Sequence, residues 1–171
     1  NFEYDKNGNP VKEMDPEGYS KLYQYDGLNR LVAAVDALNQ KTAYKYDHRG
    51  NLLELTNPKG DSYRFEYDRA GRLKKETDYL GQAKTYTLDP NGNLTAKVDF
   101  NNNRTTYGYD KYGDLEWMET SDGIKESYTT NYNDSQKVIT HTDAFNNTTT
   151  TVQDLSGNVL SSKDGKQNET K

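Results

Sequence analysis

The apolar residues of this chain recur in pairs that straddle one polar or small residue. Tyr23 and Tyr25 flank Gln24, Tyr44 and Tyr46 flank Lys45, and Tyr107 and Tyr109 flank Gly108. Tyr63, Phe65 and Tyr67 alternate with Arg64 and Glu66 in the same way. A period of two predicts strands with one aromatic and one wet face, and Tyr, Thr and Val suit such positions. Asp follows the aromatic pair, and Gly stands three residues further on, as in Asp5/Gly8, Asp47/Gly50, Asp68/Gly71, Asp89/Gly92, Asp110/Gly113 and Asp154/Gly157. The carboxylate can accept from the backbone two residues on and Gly tolerates positive φ, so each run predicts a turn. After Asp26 the Gly position holds Asn29, the next best residue for a left-handed conformation. Gln136 is a poor substitute, and its turn is expected to be looser. Two places beyond the Gly position an apolar residue opens a second strand, at Leu31, Leu52, Leu73, Leu94, Leu115, Val138 and Val159. The first unit has Pro10 there, followed by Val11. A second turn cluster closes that strand at residues 15–18, 36–39, 57–60, 78–81, 99–102 and 143–146.

These signals repeat every 21 residues, from Tyr4, Tyr25, Tyr46, Tyr67, Leu88, Tyr109, Tyr132 and Gln153, with one step of 23 between Tyr109 and Tyr132. Two turns per unit leave strands of about five or six residues. Residues 1–171 therefore read as one array of about eight units with no separate second domain. The predicted fold is all-β, a repetitive antiparallel hairpin meander forming a twisted, curved ribbon. The two extra residues fall within 119–128 and are expected in a longer hairpin loop around Asp122-Gly123, where insertions are best tolerated.

Composition narrows the partners. Only 31% of residues are hydrophobic, which would point to disorder were the apolar positions not periodic. The expected core is thin and built largely of tyrosines. A net charge of −5 with interspersed signs argues against a nucleic-acid partner, which needs clustered Lys and Arg. No run of about 20 apolar residues is present to span a membrane. The absence of Cys excludes disulfides and thiolate metal sites. The chain opens at Asn1 without Met and reads as a piece of a longer protein.

Candidate chemistry is sparse. The runs 5–9 and 89–93 resemble the first half of a calcium loop but lack the closing bidentate acid, so a turn accounts for them and no metal is expected. His48 falls at a turn and His141 in a strand, in different repeat positions, which does not make a metal or nucleophile-base site. Recurrent turn carboxylates are not an acid/base pair in a cleft, so neither catalytic residues nor a cofactor is expected. Trp117 is expected on the same face as Leu115 by alternation, in the core. Asn103-Arg104-Thr105 and Asn147-Thr148-Thr149 match glycosylation acceptors, a chance occurrence in a chain rich in Asn and Thr.

The unit in Tyr46-Asp47-His48-Arg49-Gly50-Asn51-Leu52 and Tyr67-Asp68-Arg69-Ala70-Gly71-Arg72-Leu73 resembles the RHS or YD-repeat family over nearly the whole chain. The last two copies depart from it, with Asn133 and Gln153 at hallmark positions. The resemblance implies a ribbon that spirals into a hollow shell around a C-terminal toxin, as in bacterial polymorphic and insecticidal toxins. Similar repeats occur in wall-associated proteins and teneurins. The resemblance further implies, for the shell-forming bacterial members, a core ending with a self-cleavage site of Asp-Pro-x-Gly-Leu type before the toxin. Here Tyr19 follows 15–18 and Asn93 follows 89–92, so both runs read as ordinary turns.

Two functions follow as expectations. The first is a structural segment of a secreted or cell-surface protein that encapsulates or presents a toxin or effector domain of the same chain. The second is adhesion to cell-wall glycan through the tyrosine ladder. The positions expected to define the repeat structurally are Tyr4, Asp5, Gly8, Tyr25, Asp26, Asn29, Leu31, Tyr46, Asp47, Gly50, Leu52, Tyr67, Asp68, Gly71, Leu73, Asp89, Gly92, Leu94, Tyr109, Asp110, Gly113, Leu115, Asp154 and Gly157. Open sheet edges predict edge-to-edge self-association of the isolated array.

Overall fold

The computed structural model describes residues 1–165 and the strand Glu169–Thr170. The chain divides into two compact units, Asn1–Lys84 and Thr85–Lys171. In the first, β1 (Phe2–Tyr4), β2 (Pro10–Met14), β3 (Ser20–Tyr25), β4 (Leu31–Val35), β5 (Lys41–Tyr46), β6 (Leu52–Thr56), β7 (Ser62–Tyr67) and β8 (Leu73–Thr77) pair antiparallel in chain order. Strand β9 (Ala83–Leu88) runs from one unit into the other. The second unit continues through β10 (Leu94–Val98), β11 (Arg104–Tyr109), β12 (Leu115–Thr120), β13 (Lys125–Tyr132), β14 (Gln136–Thr142), β15 (Thr148–Asp154), β16 (Val159–Asp164) and β17 (Glu169–Thr170), again each against the next. No helix occurs among the described residues. The all-β antiparallel meander is as the periodicity predicts.

Except after Tyr132, both turns of the repeats close the same way. Asp26 donates its N–H to Arg30 O (2.9 Å) and accepts from Asn29 N–H (3.0 Å); Asp36 does the same with Gln40 and Asn39, at 3.0 Å each. The ladders beyond the turns differ. In the hairpin after Tyr25, Tyr25 lies opposite Leu31 and Gln24 opposite Ala33, so Val32 is an extra residue, a β-bulge. Equivalent bulges follow Tyr4, Tyr46, Tyr67, Leu88, Tyr109 and Gln153. The hairpin after Tyr132 has none: Tyr132 pairs with Lys137 and Asn131 with Val138.

The bulge shifts which residues share a face. Directly opposed residues of antiparallel strands project to one side. Tyr23, Tyr25, Leu31 and Ala34 therefore share a face, continued by Tyr44, Tyr46, Leu52, Leu55, Tyr63, Phe65, Tyr67 and Leu73. The other face carries Gln24, Ala33, Lys45, Glu54, Arg64, Glu66 and Lys75, with ion pairs Arg64–Glu54 (3.6 Å) and Lys75–Glu66 (2.9 Å). Core burial is slighter than a tyrosine core implies. Only Ala33 and Ala96 are buried hydrophobics among the described residues, and the face tyrosines are half-buried.

Three sequence expectations are corrected. Trp117 does not share a face with Leu115. Leu115 lies opposite Tyr109 and Trp117 opposite Gly108, because the bulge at Glu116 interrupts the alternation. The indole covers Gly108 on the polar face, and Lys125 Nζ stands 5.0 Å above its ring. The two extra residues do not lengthen the loop at Asp122-Gly123, which closes like the others, through Thr120 N–H to Ile124 O (2.9 Å) and Gly123 N–H to Thr120 O (3.0 Å). They extend β13 to eight residues. Two residues are one full strand period, so Tyr132 keeps its face, but without a bulge Val138 opposes Asn131 on the other one. The turn at Gln136 is shorter rather than looser, with Asn133 N–H donating to Gln136 O at 3.0 Å and Asn133 Oδ1 accepting from Ser135 and Gln136.

Candidate functional site: the Tyr-Asp turns

Each Tyr-Asp turn is held by one carboxylate. Asp47 Oδ1 accepts from the N–H of Arg49 (2.8 Å) and Asn51 (2.9 Å), and Oδ2 accepts from the Asn51 carboxamide (2.9 Å). Asp5, Asp26, Asp68 and Asp154 repeat this with Asn9, Arg30, Arg72 and Asn158. Asp89 accepts from the N–H and carboxamide of Asn93. Asp110 accepts from the N–H of Tyr112 (2.8 Å) and Asp114 (3.0 Å). Positive φ falls on Gly8, Gly50, Gly71, Gly92, Gly113 and Gly157, and on Asn29 at 61°. Hydrogen bonding from the Asn9 side chain and backbone holds Asp5 below the usual carboxylate range. The Asn158 side chain does the same for Asp154, and the Arg30 guanidinium for Asp26. At Asp47 burial pulls upward first, and the Asn51 and Arg49 hydrogen bonds outweigh it.

Two of the hallmark tyrosines reach across to the preceding hairpin. Tyr67 Oη donates to Leu52 O and Tyr109 Oη to Leu94 O, each at 3.0 Å. These carbonyls lie where pairing with the next hairpin has stopped, since β6 meets β7 only from Glu54–Arg64 onward and β10 meets β11 only from Ala96–Thr106 onward. Burial raises the Tyr46, Tyr67 and Tyr109 phenol values. Where Arg30 stands four residues after its Asp, the link differs. Its guanidinium bonds Asp26 Oδ2 (2.7 Å) and Asp47 O (2.7 Å) and stacks 4.9 Å over the Tyr46 ring. Asn51 precedes the first kind of link and Arg30 makes the second, and the sequence alternates Asn9, Arg30, Asn51, Arg72, Asn93. The repeat thus carries a 42-residue alternation that the 21-residue reading misses, although the residues themselves display it. Tyr4 and Tyr132 are exposed strand-end tyrosines, and Leu73 lies opposite Tyr67 in the bulged hairpin.

The sixth turn breaks the alternation. Asp114 stands where Asn or Arg would, and it receives Lys137 Nζ (2.6 Å) and Tyr132 Oη (2.7 Å) from the following hairpin. The Lys137 ammonium lowers the Asp114 value and Asp114 raises that of Lys137. A second cluster escapes sequence reading. His141 Nε2 lies 2.8 Å from Glu126 Oε2, Tyr128 Oη donates to the same oxygen at 3.1 Å, and the Tyr128 and His141 rings stack at 4.8 Å. The cross-strand register, in which Tyr128 opposes His141, brings them together. His48 lies at its turn, apart from this cluster. Among the described residues no group of three His, Cys, Asp or Glu is arranged to hold a metal. No helix among them is long and apolar enough to cross a membrane.

Apart from Phe2, Tyr4 and Tyr132 at strand ends, the exposed rings are on turns. Tyr112 is 72% and Phe145 85% exposed, against half-buried Tyr25, Tyr46, Tyr67 and Tyr109. That counts against the strand ladder as a sugar platform.

These features define a tandem β-hairpin array in which a turn carboxylate recurs in the regular units and a tyrosine hydroxyl, at Tyr67 and Tyr109, ties successive hairpins. The model of the RHS Repeat family matches residues 4–41, 30–62, 46–78 and 67–104, more than half of the chain, and the chain belongs to that family. Its fold is similar to part of the Tc holotoxin pore of Photorhabdus luminescens, at 16% identity and a TM-score of 0.56. It is also similar to part of a complex of TcdB2, TccC3 and Cdc42, at 16% identity and a TM-score of 0.58. In each case 99% of this chain is covered, and it spans only 9% of the length of the matched chain. No curated protein matched.

Proposed function

We propose that this segment is a non-catalytic section of wall in a longer, secreted or cell-surface bacterial chain, and that the wall encloses or presents a toxin or effector domain of the same chain. The observation that carries this reading is the two-faced sheet, with the Tyr and Leu positions of the repeat on one side and mostly polar residues on the other, without a second layer over either face within a unit. Such a sheet suits a partition between two environments. The likeness in fold to parts of two Tc complexes and membership of the RHS Repeat family support it. On this reading the Tyr, Asp, Gly and Leu hallmark positions serve structure, and residues 1–171 act as one array.

The test is site-specific photocrosslinking in the full-length parent chain. A crosslinker at Tyr46 or Tyr67 is expected to capture the effector region, and one at Lys45 or Glu66 is not. Capture from both faces alike, or from neither, overturns the wall reading.

A further inference from the structure

Two Asn-Gly steps stand in the Tyr-Asp turns, Asn7-Gly8 and Asn91-Gly92. Such a step is chemically fragile. Once it has lost its proton, the amide nitrogen after Asn can attack the carboxamide carbon, and Gly, with no Cβ, leaves that approach unhindered. The two turns are built alike. Gly8 N–H donates to Asp5 O (3.1 Å) and Gly92 N–H to Asp89 O (3.0 Å), so each attacking nitrogen is held until its turn opens. Asn9 and Asn93 each fill the second oxygen of the turn carboxylate. Both steps are exposed to water.

The turns differ in what anchors the carboxamide. Asn7 Nδ2 donates to Oδ1 of Asn29, in the next Tyr-Asp turn, at 2.8 Å, and Asn9 Nδ2 shares that acceptor at 2.9 Å. The residue equivalent to Asn29 in the turn after Asn91 is Gly113, which has no side chain to offer. Asn91 and Gly113 line an open groove of about 410 Å³ between their turns.

We propose that Asn91 is a site of spontaneous deamidation and that Asn29 protects Asn7 from the same reaction. Gly92 N bonds to Asn91 Cγ, the Cγ–Nδ2 bond breaks, and Nδ2 leaves as ammonia. Water then opens the succinimide. Cleavage of the new N–Cγ bond leaves aspartate. Cleavage at the backbone carbonyl leaves isoaspartate, whose side chain now carries the main chain. Isoaspartate adds one methylene to the backbone and displaces Gly92 N–H from Asp89 O. Either product sets a new carboxylate in a groove already lined by Asp89 and Asp110. The reaction thus marks the age of this turn and loosens it, whether or not the chain forms a wall.

The experiment incubates the 171-residue chain in mildly alkaline buffer and follows both Asn-Gly peptides by mass spectrometry, with isoaspartate detected by enzymatic methylation. Asn91 is expected to react at least about threefold faster than Asn7, the scale of one hydrogen bond. Lys6 precedes Asn7 and Pro90 precedes Asn91, so two swaps across the gap isolate the anchor and leave both runs intact. Asn29→Gly should bring Asn7 up to the Asn91 rate, and Gly113→Asn should slow Asn91. Asn29 and Gly113 have φ of 61° and 87°, which both residue types tolerate, and a Cβ at Gly113 would meet only Asn93 Oδ1, at 4.0 Å. An Asn91 that stays intact, an Asn7 that reacts as fast in the unaltered chain, or rates unmoved by both swaps would each overturn the proposal. Should a swap disturb the circular dichroism, the ranking in the unaltered chain decides.

Discussion

Tyr67 donates its hydroxyl to the carbonyl of Leu52, 3.0 Å away and fifteen residues upstream. The bond sits where the β6–β7 ladder has ended, so the phenol replaces a backbone donor that the splayed hairpins cannot supply. Tyr67→Phe keeps the ring and removes only this bond, and is expected to cost about 1 kcal/mol. Tyr46→Phe should cost less, because the Tyr46 ring works beneath the Arg30 guanidinium. Urea unfolding of both variants checks the order; equal losses would remove the hydroxyl's special role.

The carboxylates that pin the turns predict acid sensitivity. Asp5, Asp26, Asp47, Asp68, Asp89, Asp99, Asp143 and Asp154 are all held below the usual carboxylate value. A depressed folded value means that the unfolded chain binds protons first. The stabilisation is therefore complete above the unfolded value of about 3.9 and is lost as pH falls through the lower folded values. Thermal midpoints should stay level down to about pH 5 and fall steeply below pH 4. A midpoint unchanged at pH 3 would contradict the pinning role.

At alkaline pH the phenols take over. Burial raises Tyr46, Tyr67 and Tyr109, and a hydrogen bond to Glu13 is the main cause at Tyr23. A raised value favours the neutral phenol in the fold. That contribution is whole below the unfolded value of about 10 and disappears as pH rises through the folded values. Unfolding above about pH 10 should coincide with phenolate absorbance at 295 nm. Ionisation of Tyr46, Tyr67 and Tyr109 in a sheet that stays folded would refute the coupling.

Strands and turns were legible in the sequence because each depends on neighbouring residues: Tyr23 and Tyr25 on alternation, Asp47 and Gly50 on one turn. The bulge was less visible, since it is a property of two paired strands. Its trace lies in β6, where the aromatic face holds Leu52 and Leu55, three apart, with Glu54 on the other face. Leu115 and Met118 repeat that spacing in β12, and strict alternation misplaces Trp117 for the same reason. The Glu126–His141 pair joins the two strands of one hairpin and the Asp114–Lys137 bond joins two successive hairpins, and only the observed register connects them. Asp110 looks like every other turn Asp until the acceptor at Asp114 is set beside the donors elsewhere.

Backbone geometry separates glycines that look alike in sequence. Gly50 has φ of +94° and open space where a Cβ would stand, so Gly50→Ala meets only backbone strain, expected at about 1–2 kcal/mol. Gly27 is also unobstructed and lacks positive φ, so Gly27→Ala should be neutral or slightly stabilising. Paired urea titrations check the contrast; equal destabilisation would mean that the turn conformation is not what selects Gly50.

Gly108 is required for a different reason. Its φ is not positive, but a Cβ there would lie 2.1 Å from Trp117 Nε1, closer than any packing permits. Gly108→Ala must drive the indole off the polar face or spread β11 from β12. Overpacking of this kind costs about 1–3 kcal/mol. Trp117 is the sole tryptophan, so its fluorescence reports the site directly. The variant should show a red-shifted emission and a lower urea midpoint. Trp117→Leu should lose less stability, because it uncovers Gly108 without a clash, and in that background Gly108→Ala should become nearly neutral. A Gly108→Ala penalty that persists without the indole would assign it to the backbone instead of to the ring that covers it.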